Sequence, residues 1–177
     1  MSGKTITIFG SSKPIEGEPE YEFARKLGYE LGKLGFTICN GGYGGTMEAT
    51  ARGAKEAGAK TIGVTVLTFQ SVPNKWIDEE IKAKDLFERL KILISKGDAY
   101  IVLRGGTGTL VEFSLVWELM NKALIEPKPF VAVKFWSPIF EAMSKQLKYE
   151  LRENAISFVK IIDDIDEIVN FVKKSLQ

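Results

Sequence analysis

Two stretches of the sequence carry the same layout, and together they leave few folds open. Asn40-Gly-Gly-Tyr-Gly-Gly-Thr-Met-Glu48 and Arg104-Gly-Gly-Thr-Gly-Thr-Leu-Val-Glu112 each follow a short apolar run, place two glycines, skip one residue, add another glycine and open a helical segment with an acid in its first turn. The run before the second stretch, Ala99-Tyr100-Ile101-Val102-Leu103, is rich in β-formers and fits a strand buried on both faces. The rest of the chain keeps the same rhythm. Strand-like runs at 5–9, 36–39, 61–66, 99–103, 130–135 and 158–162 alternate with segments of helical spacing at 20–34, 46–57, 86–95, 110–124, 138–147 and 165–176. Residues 67–84 are less regular and contain Pro73; they read as a loop with a short helix or strand near 76–81. Alternating strands and helices predict an α/β fold, a single doubly wound parallel sheet with right-handed crossovers. No linker, low-complexity segment or charge block divides the 177 residues, which read as one domain over 1–177.

Composition removes several kinds of chemistry. The 24 basic and 23 acidic residues nearly cancel, so nothing calls for a nucleic acid partner. The chain has one cysteine, Cys39, and no histidine. That excludes an internal disulfide framework, makes a zinc site of the usual ligands untenable, and removes Ser-His-Asp and Cys-His catalysis. No apolar run reaches membrane-spanning length, and Met1-Ser2-Gly3-Lys4 leads directly into a strand without a signal peptide. A cytoplasmic location and no membrane partner are expected.

In a parallel sheet the turns after strands lie at the carboxyl edge, where ligands bind. The two glycine stretches should therefore line one cleft with Gly10-Ser11-Ser12, which ends the first strand. Glycine lets backbone approach a ligand, and the unpaired N–H groups and positive dipole end of each following helix favour an anion. The phosphate-binding candidates are Gly10, Ser11, Gly41, Gly42, Gly44, Gly45, Thr46, Gly105, Gly106, Thr107, Gly108 and Thr109. Neither stretch is a P-loop, because G-x-x-x-x-G-K-[ST] is absent. Neither is a dinucleotide fingerprint: Val111 and Met47 stand where the third glycine belongs, and Asn40 ends the second strand in place of an acid. Plainer roles compete for several residues. Thr109 and Glu112 form a capping-box pattern, Glu48 suits a helix dipole, Arg89 reads equally as a solvated charge, and Cys39 as a small buried residue.

GGTGTLVE resembles the P-G-G-x-G-T-x-x-E signature of the LOG family, the cytokinin-activating phosphoribohydrolases once labelled lysine decarboxylases. The resemblance runs from Ile6 to about Ala142 and includes FGSS, NGGYGGTMEA followed by RGAKEAG, the IGV strand and DLFERLKIL. It implies a Rossmann-like fold, dimers or larger assemblies, and cleavage of a nucleoside 5′-monophosphate to free base and ribose 5-phosphate. DLFERLKIL resembles the family's M-H-E-R-K segment, which puts Arg89 at the family's functional arginine. This chain departs from the pattern at four places: Arg104 for proline, Leu86 for methionine, Phe87 for histidine and Leu90 for lysine. The related molybdenum-cofactor carrier proteins share the fold and glycine loops but bind a pterin phosphate without cleaving it, and they supply the alternative reading, a non-catalytic binder.

N-glycosidic hydrolysis develops positive charge on the ribose, which a fixed carboxylate stabilises while orienting or deprotonating water. Glu112 is the expected carboxylate. Arg89, permanently charged, is the expected clamp for the phosphate or the departing base. The reaction needs no metal and no cofactor, and the ligand is expected to be an AMP-like nucleotide. The helix at 110–124 is apolar all round, so one side should cover the sheet and the other should meet a two-fold partner, giving a homodimer or larger homo-oligomer.

Overall fold

The computed structural model describes residues 3–68 and 72–177. Met1, Ser2 and residues 69–71, which lie in the irregular 67–84 stretch, fall outside the described residues. The chain runs β1 (Thr5–Phe9), α1 (Pro19–Lys33), β2 (Thr37–Asn40), α2 (Thr46–Glu56), β3 (Thr61–Val66), β4 (Glu79–Ala83), α3 (Leu86–Lys96), β5 (Ala99–Val102), α4 (Thr107–Asn121), β6 (Phe130–Ala132), α5 (Ser137–Tyr149), β7 (Val159–Ile161) and α6 (Ile165–Ser175). All seven strands join one parallel sheet in the order β4-β3-β2-β1-β5-β6-β7. The winding reverses between β1 and β5, which pair from Ile6 opposite Ala99 to Phe9 opposite Val102. The carboxyl ends of these two strands therefore flank the crevice that such a reversal creates.

Central strands are buried on both faces, as their unbroken apolar runs require: β3 and β5 have no exposed residue. Tyr100 anchors the core. It is fully buried, its ring meets Phe9 and Phe130, and its hydroxyl donates to Ile94 O at 2.7 Å. Cys39, in β2, is also fully buried, and loss of solvent pushes its thiol up to about 12. Gly35, just past α1, has φ +80°, the left-handed C-terminal turn expected of it. The helices α1 and α2 cross with backbones nearly touching, since a Cβ at Gly53 would meet Arg25 O at 1.9 Å.

Three local expectations are corrected. The segment near 76–81 resolves as an edge strand, β4, displaced to Glu79–Ala83; its alternation of Glu and Lys with Ile81 and Ala83 suits a strand with one wet side. The sixth strand stops at Ala132, and Lys134–Trp136 form a single 3-10 turn. There Trp136 donates its indole N–H to Leu103 O at 3.0 Å and Lys134 N donates to Asp163, bonds that pull the chain out of the sheet. Finally, α4 begins at Thr107 behind Gly106, with no side-chain cap. Thr109 is already inside the helix, so the Thr109–Glu112 capping box does not form.

No helix among the described residues is long and apolar enough to cross a membrane. One side of α4 buries Phe113, Val116, Trp117 and Met120. The helix is incompletely covered along that edge: Leu110, Phe113, Trp117, Ile139, Met143 and Leu147 line an apolar groove of about 440 Å³ between α4 and α5, and Val111 is exposed. A two-fold partner on this face remains our proposal. Light scattering should then return a dimer or larger species at micromolar concentration, and Met143→Glu should shift it toward monomer; a wild-type monomer would refute it.

Candidate functional site

A crevice of about 320 Å³ opens at the carboxyl ends of β1, β2 and β5. It brings together Gly10, Ser11, Gly41, Arg89, Gly106, Thr107, Gly108, Thr109 and Glu112 of the expected residues. Gly42, Gly44, Gly45, Thr46 and Gly105 do not line it. Each of these has a visible structural setting. Gly45 has φ +70°, and a Cβ there would meet Ser11 O at 2.1 Å. Thr46 is buried and donates both its N–H and its hydroxyl to Ser11 O, at 2.8 and 3.1 Å. Gly10 lies against the same hydroxyl, 2.2 Å from where its Cβ would be. The glycines thus lock the loop after β1 onto the start of α2. Gly42 packs on β3, where its Cβ would meet Thr65 at 3.0 Å. Gly105 makes room for Thr109, and Gly44 has only Ser12 O nearby, at 3.7 Å.

The α4 side of the crevice is built differently. Gly106 and Gly108 have nothing within 4 Å of a hypothetical Cβ, and Thr107 is exposed. The first N–H groups of a helix have no intrahelical acceptor, so those of Thr107, Gly108 and Thr109 present donors and the positive dipole end to the open space.

Arg89 and Glu112 form the floor. Arg89 is 8% exposed and Glu112 7%, so the reading of Arg89 as a solvated charge fails; the reading of Glu112 as a cap fails because α4 starts at Thr107, ahead of Thr109. Arg89 rises from the first turn of α3, which Asp85 caps by accepting from Glu88 N at 2.8 Å. Its Nε donates to Val64 O at 2.8 Å and its guanidinium lies 5.8 Å from the centre of the Tyr43 ring. Gly41 admits it, because a Cβ at 41 would sit 2.0 Å from Arg89 Nη2. The first glycine of that loop therefore makes space for a cation. Arg89 Nη1 is 3.5 Å from Glu112 Oε1, a loose ion pair that leaves the carboxylate room for another partner. Burial pushes the Glu112 carboxyl up to about 7 against the opposing effect of the Arg89 charge.

Sequence reading missed Lys13, Tyr43 and Met47, which also line the crevice. Lys13 is exposed and forms no ion pair among the described residues. Its place in the loop after β1 was the available signal. Glu48, in the first turn of α2, lies outside the crevice, 3.4 Å from the Tyr21 hydroxyl that donates to it.

The sequence profile of the SLOG cluster4 family matches residues 3–156. The chain is 30% identical over 173 residues to a pyrimidine/purine nucleotide 5′-monophosphate nucleosidase of Escherichia coli, covering 90% of this chain but only 38% of that longer protein. It is 32% identical over 135 residues to a cytokinin riboside 5′-monophosphate phosphoribohydrolase of Mycobacterium tuberculosis, covering 75% of this chain and 71% of the other. Among solved structures, a molybdenum cofactor binding protein from Rippkaea orientalis superposes with a TM-score of 0.76 over 100% of this chain and 99% of its own, at 23% identity.

Two measurements probe this architecture. Gly45→Ala combines a left-handed backbone with a collision against Ser11 O and should cost ~3 kcal/mol of stability, whereas Gly58→Ala, also at positive φ but in open space, should cost only ~1 kcal/mol by denaturant unfolding. The second concerns pH. The folded Glu112 carboxyl ionises near 7 in place of an ordinary 4.5, so the folded state holds a proton that the unfolded chain has lost between those values. Its contribution to stability is complete below the lower value and disappears as pH rises through about 7. Glu112→Gln cannot ionise. It should melt above the wild type at pH 8, by about 1–3 kcal/mol, and the advantage should vanish by pH 5.

Proposed function

The chain belongs to the SLOG cluster4 family, and from that premise we propose that it is a LOG-type hydrolase cleaving the N-glycosidic bond of a nucleoside 5′-monophosphate to free base and ribose 5-phosphate. The observation that carries this reading is Glu112, a buried carboxyl with its ionisation raised to about 7, beside a guanidinium and beneath a row of open helix N–H groups. The named activities of the Escherichia coli and Mycobacterium tuberculosis relatives support it.

In the proposed mechanism the 5′-phosphate sits at the N–H groups of Thr107, Gly108 and Thr109, with Lys13 and the Ser11 loop facing it. That anchor does not react; its binding energy places the ribose over Glu112. As the bond from C1′ to the base breaks, positive charge grows on the ribose and the ionised Glu112 stabilises it. Water adds to C1′, passing its proton toward Glu112, whose raised pKa suits it to accept one near neutrality. The base leaves with the bonding electrons and takes up a proton. Arg89 steadies the Glu112 charge and can donate to the phosphate or the departing base. AMP-like purine nucleotides are the first substrates to test.

A second reading, phosphate-dependent binding without cleavage, is favoured by the residues beside Arg89. Phe87 is 83% exposed and Leu90 is buried, so neither family position supplies an acid–base group.

Base release across a panel of nucleotides separates the two. For the hydrolase, turnover should rise with pH through about 7, as Glu112 ionises, and Glu112→Gln should lose about 100-fold or more while still binding nucleotide. A monophosphate should be bound and cleaved far better than its nucleoside. Tight phosphate-dependent binding with no base released from any nucleotide would establish the carrier reading, and equal affinity for AMP and adenosine would refute the phosphate cradle.

A further inference from the structure

The crevice does not end at Lys13. The loop residues Ser11 and Lys13 also line a neighbouring lobe of about 450 Å³ with Gly105, Arg104 and Glu20. Arg104 and Glu20 in turn line a third space of about 310 Å³, walled by Phe23, Leu103 and Val133 and edged by Asp163. The three spaces succeed one another along the carboxyl edge of the sheet, from β2 toward β7. The third space has apolar walls and the lobe beside it supplies most of the charged rim; together they have the composition of a pocket that orients a flat ligand by a few polar contacts.

The charges on this rim decide what fits. Arg104 Nη1 donates to Glu20 Oε1 at 2.9 Å, with the arginine mostly in solvent and the glutamate half-buried, at 60% and 38% exposure. Such a pair contributes little to stability and exchanges partners readily. The guanidinium also lies 5.1 Å from the Phe135 ring centre, which helps set its plane. Asp163 accepts from Lys134 N through one oxygen, at 2.6 Å, so its other oxygen can take a further donor. The lobe also contains Glu18, which accepts from Ile15 N at 2.9 Å, and Lys13. Three carboxylates against two cations make a poor receptor for a second phosphate. They make a good one for a neutral ring that has a carbonyl beside N–H groups.

We propose that the Arg104–Glu20 lobe is a base subsite that selects a 2-amino-4-oxopyrimidine edge, the edge common to guanine and pterins. The ring carbonyl, and in guanine the adjacent N7, accept from Arg104, while the neighbouring ring N–H and the exocyclic amine donate to Glu20 and Asp163. Arg104 and Glu20, side by side, already place a donor next to an acceptor. Phe23, Leu103 and Val133 cover the faces of the ring. Adenine presents an amine where guanine presents its carbonyl, so it would set donor against donor at Arg104 and leave Glu20 without a proton to accept. A site built on hydrogen bonds rejects such a mismatch strongly. The subsite rests on reading the adjoining crevice as the phosphate site.

Calorimetry on the full chain tests it without requiring turnover. Ribose 5-phosphate alone reports the phosphate cradle; the difference between GMP and AMP reports the lobe. GMP should bind at least about tenfold more tightly than AMP. Arg104→Ala, at an exposed position, and Glu20→Ala, at a half-buried one, should each erase most of that difference while ribose 5-phosphate binding stays as in the wild type. A 6-hydroxymethylpterin phosphate that binds more tightly than GMP, with the same dependence on Arg104, would support the edge and identify a pterin as its source. Equal affinity for GMP and AMP, or a preference that survives both substitutions, would overturn the subsite. If ribose 5-phosphate itself fails to bind while the GMP preference persists, the phosphate reading fails and the subsite stands.

Discussion

One backbone oxygen, that of Ser11, holds the site together. It accepts two hydrogen bonds from Thr46, and they form only because Gly10 and Gly45 carry no side chain at the point of approach. Through this contact the loop after β1 is fixed to the start of α2, and α2 is fixed to α1 by the crossing at Gly53. The crevice then has one rigid wall, from β1 and β2, facing another wall, the first turn of α4, whose N–H groups remain open. A receptor that must hold an anion in one place needs this asymmetry, because donors already committed to the fold cannot also bind a ligand.

The floor of the crevice works against the fold. Glu112 is held in a nearly dry place with a single cationic partner at 3.5 Å, longer than an optimised pair. A neutral side chain of the same shape would suit the fold better above neutral pH. Such a costly arrangement is commonly found where chemistry needs a group poised between two protonation states. Gly41 fits the same account: it gives up side-chain packing on a buried loop so that Arg89 can enter.

Much of this was legible in the sequence. The unbroken apolar runs identified the central strands, the paired glycine layouts placed the crevice at the carboxyl edge with Glu112 beside it, and the resemblance of DLFERLKIL to a family segment singled out Arg89. What was not legible depended on contacts between distant segments. Thr46 reads as a ligand hydroxyl until its partner, Ser11 O, is seen. The Thr109–Glu112 spacing fits a capping box, but α4 starts earlier, at Thr107, and the pattern falls inside it. β4 was ambiguous because an edge strand with alternating charges resembles a polar helix over so few residues. The sixth strand ends early because of Trp136 and Asp163, which no local pattern reveals. Lys13 lies in a loop that carries no periodicity at all.

Cys39 gives the molecule a built-in clock. The thiol lies immediately before the glycine stretch that begins at Asn40, fully buried, with its ionisation displaced to about 12. The thiolate, the form that reacts with disulfide reagents and alkylators, is therefore nearly absent while β2 is in place. Since the chain has no other cysteine, any labelling counts the moments when the central sheet opens. A ligand that tightens the crevice should slow that clock by the factor with which it stabilises the closed sheet, so occupancy can be followed at one sulfur atom with no assay for the reaction.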